Sequence, residues 1–287
     1  MPTMETAAVE TKKGHQLIST VYSPETLIKG AVLIVPAMGV TQKYYASFAT
    51  WLAGHGYRVI TFDYSGIGLS QSGHLRDIDV NISDWAGDDC AAMLDAVSNK
   101  ADGKPVYWIG HSLGGQIIGL LPNANLIAKA VTIASGSGYW LENAPSLKWR
   151  VWWLWYFIVP IAIKLYGYFP GKMLRKVGDL PAGVMSQWRQ WCLHPEYVVG
   201  VEGENVRKRY SLLGTPMTSF SFTDDELMSH ENINSLHGFY VNSPIKMKRI
   251  TPQDIGSKRI GHFGFFKDKF ETSLWKNYLL TELQSNK

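Results

Sequence analysis

The chain has 287 residues, 46% of them hydrophobic and 18% charged, with a net charge of +4. These values exclude a disordered or fibrous chain and suit one large α/β domain, or one domain carrying an insertion. The two cysteines, Cys90 and Cys192, supply neither a disulfide framework nor a metal-ligand spacing. The opening MPTMETAAVETKKGHQ lacks the apolar stretch of a secretory signal, so a cytoplasmic protein is expected.

The first 135 residues alternate two patterns. QLISTVY (16–22) and the continuous apolar run GAVLIVPA (30–37) predict strands, and YYASFATWLAGHG (44–56) predicts a helix ending at a glycine. YRVITFDYSG (57–66) predicts a buried strand closed by a turn. DWAGDDCAAMLDAVSN (84–99) reads as an amphipathic helix with Ser83 or Asp84 as N-cap. KPVYWIG (104–110), SLGGQIIGLL (112–121) and AKAVTIASG (128–136) follow as strand, helix and strand. Continuously apolar strands separated by helices imply a mostly parallel sheet covered on both faces.

After Gly138 the pattern changes. Residues 140–200 hold seven Lys/Arg (Lys148, Arg150, Lys164, Lys172, Arg175, Lys176 and Arg189) against three acids, and seven of the eleven tryptophans. Alternation resumes with strands at 215–225 and 243–251 and a terminal helix at 269–283. The expected organisation is an α/β core in two parts, residues 1–138 and 211–287, interrupted by a helical, aromatic-rich cap at 139–210.

One motif carries chemistry. In VYWIGHSLGGQIIG (106–119), Ser112 stands in Gly-x-Ser-x-Gly where a strand runs straight into a helix. Such an elbow lifts a serine hydroxyl clear of the sheet edge, and the glycines are needed because side chains there collide with neighbouring backbone. It also puts the next amide at a helix N-terminus, where developing negative charge is favoured. A serine hydroxyl needs a base and a group to orient that base. In the chain order serine, acid, histidine, the candidates are Asp224 or Asp225 in SFTDDELMS and His262 in RIGHFGFF. His194, His230 and His237 lack the glycine-flanked setting beyond a strand.

The segments IVPAMGV, YRVITFDYSGIGLSQ, GHSLGG, FTDDELM and GHFGFF together resemble the α/β-hydrolase superfamily, within its serine aminopeptidase-like and esterase–lysophospholipase-like group. The resemblance covers residues 10–138 and 211–285 and leaves the cap outside. It implies Ser112 as nucleophile, His262 as general base and an aspartate of the 224–225 pair as orienter. Asp225 is favoured because DELMS is similar to the D-P-L-V-P pattern that follows the acid in such proteins, with Asp224 as the second choice. It also implies an oxyanion hole from the main-chain amides of Met38 and Leu113. Two positions depart from the family pattern: Pro36-Ala37 replaces His-Gly, and Ser65 stands where arginine is common. Neither removes a catalytic side chain, and Ser65 is expected to affect packing.

The other polar residues receive plainer readings. His111 is given no chemistry, Asp63 is expected to pin the turn after its strand, and Asp88, Asp89 and Asp95 are assigned to a solvated or locally paired helix face. SGIGLSQSG lacks the lysine of a phosphate-binding loop, and no zinc spacing occurs, so no cofactor or metal is implied. The basic residues of the cap come with neither a binding motif nor a strongly basic whole, so nucleic-acid binding is not expected. The cap's apolar run, Val151–Ile163, is too short to cross a bilayer. Its aromatics, with Trp140, Trp152, Trp155 and Trp188 as candidates, are expected to line an apolar pocket above Ser112; a further reading adds peripheral contact with a membrane. The expected function is hydrolysis of carboxylic esters with an apolar acyl or alcohol portion. An acyltransferase using the same residues and a non-catalytic binding protein are the alternatives. Scarcity of acids in the cap counts against an aminopeptidase, which must hold a cationic amine. A carboxylate nucleophile, required for haloalkane dehalogenation, is missing where Ser112 stands. The oligomeric state is not legible.

Overall fold

A computed structural model describes residues 2–174 and 177–284; Arg175 and Lys176 of the basic run lie outside the described residues. The strands are β1 (Thr3–Glu10), β2 (Gln16–Ser23), β3 (Gly30–Val35), β4 (Tyr57–Phe62), β5 (Val106–His111), β6 (Lys129–Ile133), β7 (Tyr168–Phe169), β8 (Leu180–Pro181), β9 (Met217–Phe222) and β10 (Ile245–Ile250). Eight of them form one sheet in the order β1-β2-β4-β3-β5-β6-β9-β10, while β7 and β8 make a small separate ribbon. From β4 to β10 the pairs are parallel; β1 and β2 are antiparallel additions at one edge.

Burial explains these choices. Strands β3, β5 and β9 are buried at every residue, as central strands covered by helices on both faces must be. Separate hydrophobic clusters fill the two sides, one built around Leu33, Trp108 and Trp85, the other around Phe48, Phe265 and Trp275. The outer strand β10 carries Lys246, Lys248 and Arg249, charges that discourage pairing with another chain.

Several elements differ from the sequence expectation. Strand β1 was not anticipated because its side chains are exposed or half-buried and carry no apolar alternation; its backbone pairing to β2, from Thr3↔Ser23 to Glu10↔Gln16, creates it. The helical segment placed at 84–99 begins at Ile82, capped by Asn81 rather than Ser83 or Asp84. Asn81 Oδ1 accepts from the Asp84 amide at 2.9 Å, and Asp84 returns the bond to the Asn81 amide at 2.9 Å. Within that segment Asp88 and Asp89 are buried, not solvated. A polar helix, His230–Gly238, was also missed; its Ser229–Asn232 capping box is the local cause.

Strands β6 and β9 pair directly, Ala130 opposite Met217, so the residues between them leave the sheet and return to it. That excursion is helical: Pro145–Trp153, a π-helical turn at Leu154–Ile158 and Val159–Tyr166 run on as one rod. Ala182–Leu193, Tyr197–Val201 and Glu204–Leu212 follow.

Candidate active site

The end of β5 creates the first functional position. Ser112 is held at φ 50°, ψ −111°, between the strand and the helix that starts at Leu113, and its amide donates to the Ile133 carbonyl at 2.9 Å. That left-handed backbone costs a non-glycine residue about 1–2 kcal/mol and persists only where the surroundings hold it. The flanking glycines permit the tight turn: a Cβ on Gly110 would lie 2.3 Å from the Gly114 carbonyl oxygen, and one on Gly114 would lie 2.2 Å from that of Val35.

Two loops beyond β9 and β10 meet at this elbow. His262 Nδ1 lies 2.9 Å from Asp225 Oδ2 and 3.1 Å from Oδ1, and both side chains are almost completely buried. Asp225 Oδ1 also accepts from the amides of Leu227 and Met228 at 2.8 and 2.9 Å, which fixes the carboxylate before it meets the imidazole. The neighbouring Asp224 points elsewhere. Its oxygens accept from the Ile260 and Gly261 amides at 2.8 and 3.1 Å, and Glu226 accepts from the His262 amide at 3.1 Å. The three acids therefore divide the work: Asp225 holds the ring, while Asp224 and Glu226 hold the loop that carries it.

Ser112 and His262 line the same cavity, yet among the described residues Ser112 Oγ makes no hydrogen bond. A hydroxyl rotor and a small loop adjustment bring such groups together when substrate closes the site. Met38 lines the cavity, and Leu113 opens the helix after Ser112. Among the described residues neither amide has an acceptor, which leaves both N–H groups free to meet an incoming oxygen.

A second network, which the sequence did not reveal, ties the two halves of the site together. Tyr45 Oη accepts from the Ala37 amide at 2.9 Å and donates to His111 Nδ1 at 2.9 Å. His111 Nε2–H then donates to the His262 carbonyl at 3.1 Å. Burial, and secondarily the nearby His262, hold His111 well below the ordinary imidazole range, so the ring is neutral and its Nδ1 is available as an acceptor. His111 thus links the Ala37 turn to the backbone of His262, a contact that motif reading, which treats it as the variable residue of Gly-x-Ser-x-Gly, does not show. Asp63 pins the turn that follows β4, accepting from the Leu69 amide at 2.8 Å, and also from the Gln42 amide at 2.7 Å.

Above Ser112 the cavity encloses about 310 Å³, within the range of small-molecule sites. Leu147, Val151, Leu154 and Trp155 from the long helical rod form one wall, and Met185, Trp188 and Cys192 another. Trp155 and Trp188 meet edge to face with ring centres 5.2 Å apart. Trp140 and Trp152, also expected in the pocket, lie outside its lining. Trp152 comes one position after Val151, which turns it off the inward face; it packs instead on Trp149, Trp153 and Phe157. Trp140 meets Tyr156 edge to face. Arg150 is the one cation among the described lining residues, and no carboxylate is among them.

A mostly parallel sheet with a strained serine elbow after its central strand and a histidine delivered by the last loops defines an α/β-hydrolase. Residues 26–171, just over half of the chain, match the family described as serine aminopeptidase, S33. The chain belongs to that family and is a serine hydrolase. Among curated proteins no sequence matches it significantly. Solved structures agree on the fold. An esterase from Pyrococcus furiosus superposes with a TM-score of 0.63 at 15% identity, covering 98% of this chain and 90% of its own. A soluble variant of monoglyceride lipase from Saccharomyces cerevisiae, solved with a substrate analogue, gives 0.65 at 16% identity, covering 99% and 94%. A putative lipase from Acinetobacter baumannii gives 0.59 at 15% identity, covering 99% and 93%.

Proposed function

We propose that this protein is a carboxylic ester hydrolase acting on substrates with an apolar acyl or alcohol portion. The observation that carries this reading is the cavity above Ser112: its described lining is mainly apolar, with one arginine and no carboxylate. An aminopeptidase must neutralise the ammonium of its substrate, and burying that charge against Leu, Val and Trp without an anion is costly. A neutral ester with a hydrocarbon arm meets no such penalty. The esterase and lipase activities named for several structural neighbours are compatible with the same reading.

In the proposed reaction, Asp225 keeps His262 in the tautomer whose Nε2 is unprotonated. Nε2 accepts the Ser112 proton as Oγ attacks the ester carbonyl, and the Met38 and Leu113 amides hold the oxygen on which negative charge develops. Such a donor contributes about 3 kcal/mol to the transition state. The imidazolium returns its proton to the departing alkoxide, leaving an acyl group on Ser112. A water deprotonated by His262 then releases the acid and restores the serine. Asp225 remains a carboxylate throughout.

The test is hydrolysis of p-nitrophenyl esters of increasing acyl length by the wild type and by Ser112→Ala. The reading requires turnover that rises with chain length until the pocket is filled, and that disappears in the alanine variant. Equal rates in both proteins, or no turnover of any ester, would remove it.

A further inference from the structure

The long helical rod over residues 145–166 has two apolar faces, only one of which is used by the cavity. Leu147, Val151, Leu154 and Trp155 turn inward. On the opposite side Trp149, Trp153, Phe157, Ile161 and Leu165 are 71%, 53%, 40%, 53% and 71% exposed. Their spacing of four residues keeps them on one side of the rod, and Trp153 and Phe157 touch with ring centres 4.8 Å apart. From Trp149 to Leu165 the stripe runs about 24 Å at the helical rise per residue. Scattered exposed apolar residues need no explanation, but a continuous strip of large ones, two of them tryptophans, marks a surface that meets another apolar phase.

The charges around the strip indicate which phase. Between Glu142 and Asp179 the sequence contains no acid and six Lys/Arg. Among the described ones, Lys164 is exposed and Lys148 partly so; Arg150 is exposed but also lines the cavity, and the exposed Lys172 pairs with Asp179 at 3.7 Å. A rod with two tryptophans, a phenylalanine, an isoleucine and a leucine along one face, with Lys148 and Lys164 beside them, fits the boundary of an anionic bilayer: rings and aliphatic chains enter the acyl edge while ammonium groups stay with lipid phosphates. Among the described residues no helix is long and apolar enough to span a membrane; the strip runs along the side of the rod, the geometry of a helix that lies in the plane of a surface.

We infer that this rod docks the protein on an anionic lipid surface with the Trp149–Leu165 strip inserted. The same rod then presents its other face to the cavity above Ser112, so an apolar ester leaving the bilayer has a short path along one helix to the nucleophile. Docking stands without the esterase reading; delivery of substrate rests on it.

Co-sedimentation with vesicles tests docking without any need for turnover. The probes are phosphatidylcholine vesicles and phosphatidylcholine vesicles containing phosphatidylglycerol, with wild type, the double variant Trp153→Ser/Phe157→Ser and the double variant Lys148→Glu/Lys164→Glu. The wild type is expected to sediment with the anionic vesicles and to lose binding in high salt. Each double variant should partition at least about tenfold less. Because all four side chains lie outside the cavity lining, unfolding midpoints and turnover of a water-soluble ester should stay near the wild-type values. Wild type left in the supernatant, or equal sedimentation of the serine variant, would overturn the proposal. A wild-type dimer in solution that the serine substitutions dissociate would overturn it too, since the strip would then be covered by a second copy of the chain. Loss of ester turnover by a wild type that still binds vesicles would instead refute the esterase reading alone.

Discussion

Replacing Asp225 by asparagine separates the role proposed for that side chain from the loop-holding role of its neighbour Asp224. The carboxylate of Asp225 lies 2.9 Å from His262 Nδ1, with both side chains nearly sealed from water. With an effective dielectric constant of about 20, a full charge at that distance stabilises the imidazolium formed in the transition state by roughly 6 kcal/mol. At 1.36 kcal/mol per decade, that is about 10⁴ in rate. Asparagine keeps an oxygen for the Leu227 and Met228 amides, so the loop survives, but its NH₂ faces Nδ1 and drives the ring proton to Nε2, where it blocks acceptance of the serine proton. Asp224→Asn keeps one acceptor for the Ile260 and Gly261 amides and loses one charge-assisted bond, so activity should fall by no more than about tenfold. The assay is kcat/KM on a short-chain p-nitrophenyl ester, with the rate of fluorophosphonate labelling and the urea midpoint measured on the same preparations. An Asp225→Asn enzyme within about tenfold of wild type, or a larger loss in Asp224→Asn at equal stability, would refute the assignment.

Tyr45→Phe removes the hydroxyl that accepts from the Ala37 amide and donates to His111, leaving two buried groups without partners. It should lower kcat by about tenfold or more with little change in KM, and unfolding in urea should show a loss of about 1–3 kcal/mol; an unchanged kcat would deny the network its positioning role. Gly114→Ala pushes a Cβ to 2.2 Å from the Val35 carbonyl oxygen, a backbone atom that cannot swing aside. A cost of about 1–3 kcal/mol in the same titration is expected, together with weaker oxyanion binding as the helix start shifts. Burial pushes the Asp89 carboxyl up to about 7 from 3.8; Ser65 supplies only an amide and a hydroxyl to one of its oxygens, and among the described residues the other has no partner. A carboxyl that holds its proton more tightly when folded contributes stability that is full below pH 3.8 and is lost as pH rises through about 7. Asp89→Asn should therefore be more stable than wild type at pH 8, by up to roughly 4 kcal/mol, with the difference closing toward pH 4. A difference independent of pH would show that Asp89 is not the titrating group.

The sequence exposed what is periodic or sterically singular and concealed what depends on tertiary partners. Strands β3, β5 and β9 were legible because full burial on both faces writes a continuous apolar run. The elbow was legible because only glycine fits at 110 and 114. By contrast, β1 owes its existence to the backbone of β2, and Asn81 became a cap because Asp84 reached back to it. Adjacent aspartates at 224 and 225 look alike along the chain. The structure distinguishes them because one meets an imidazole and the other a pair of amides. Asp89 shows the same limit from the other side. A helix aspartate is ordinarily assigned to a solvated face, and only the buried contact with Ser65 reveals that this one sits in low dielectric beside a hydroxyl, in a position where an arginine at 65 would have offered a cation. The aromatic rod is the strongest instance. Its tryptophans pointed to an apolar pocket, and the helix divided them: Trp155 lines the cavity above Ser112, whereas Trp149 and Trp153 face outward. Hydrophobicity read along the chain states how much apolar surface must find a partner. Which part is satisfied inside the molecule and which remains for something outside it is decided only by the angle at which each residue leaves the helix.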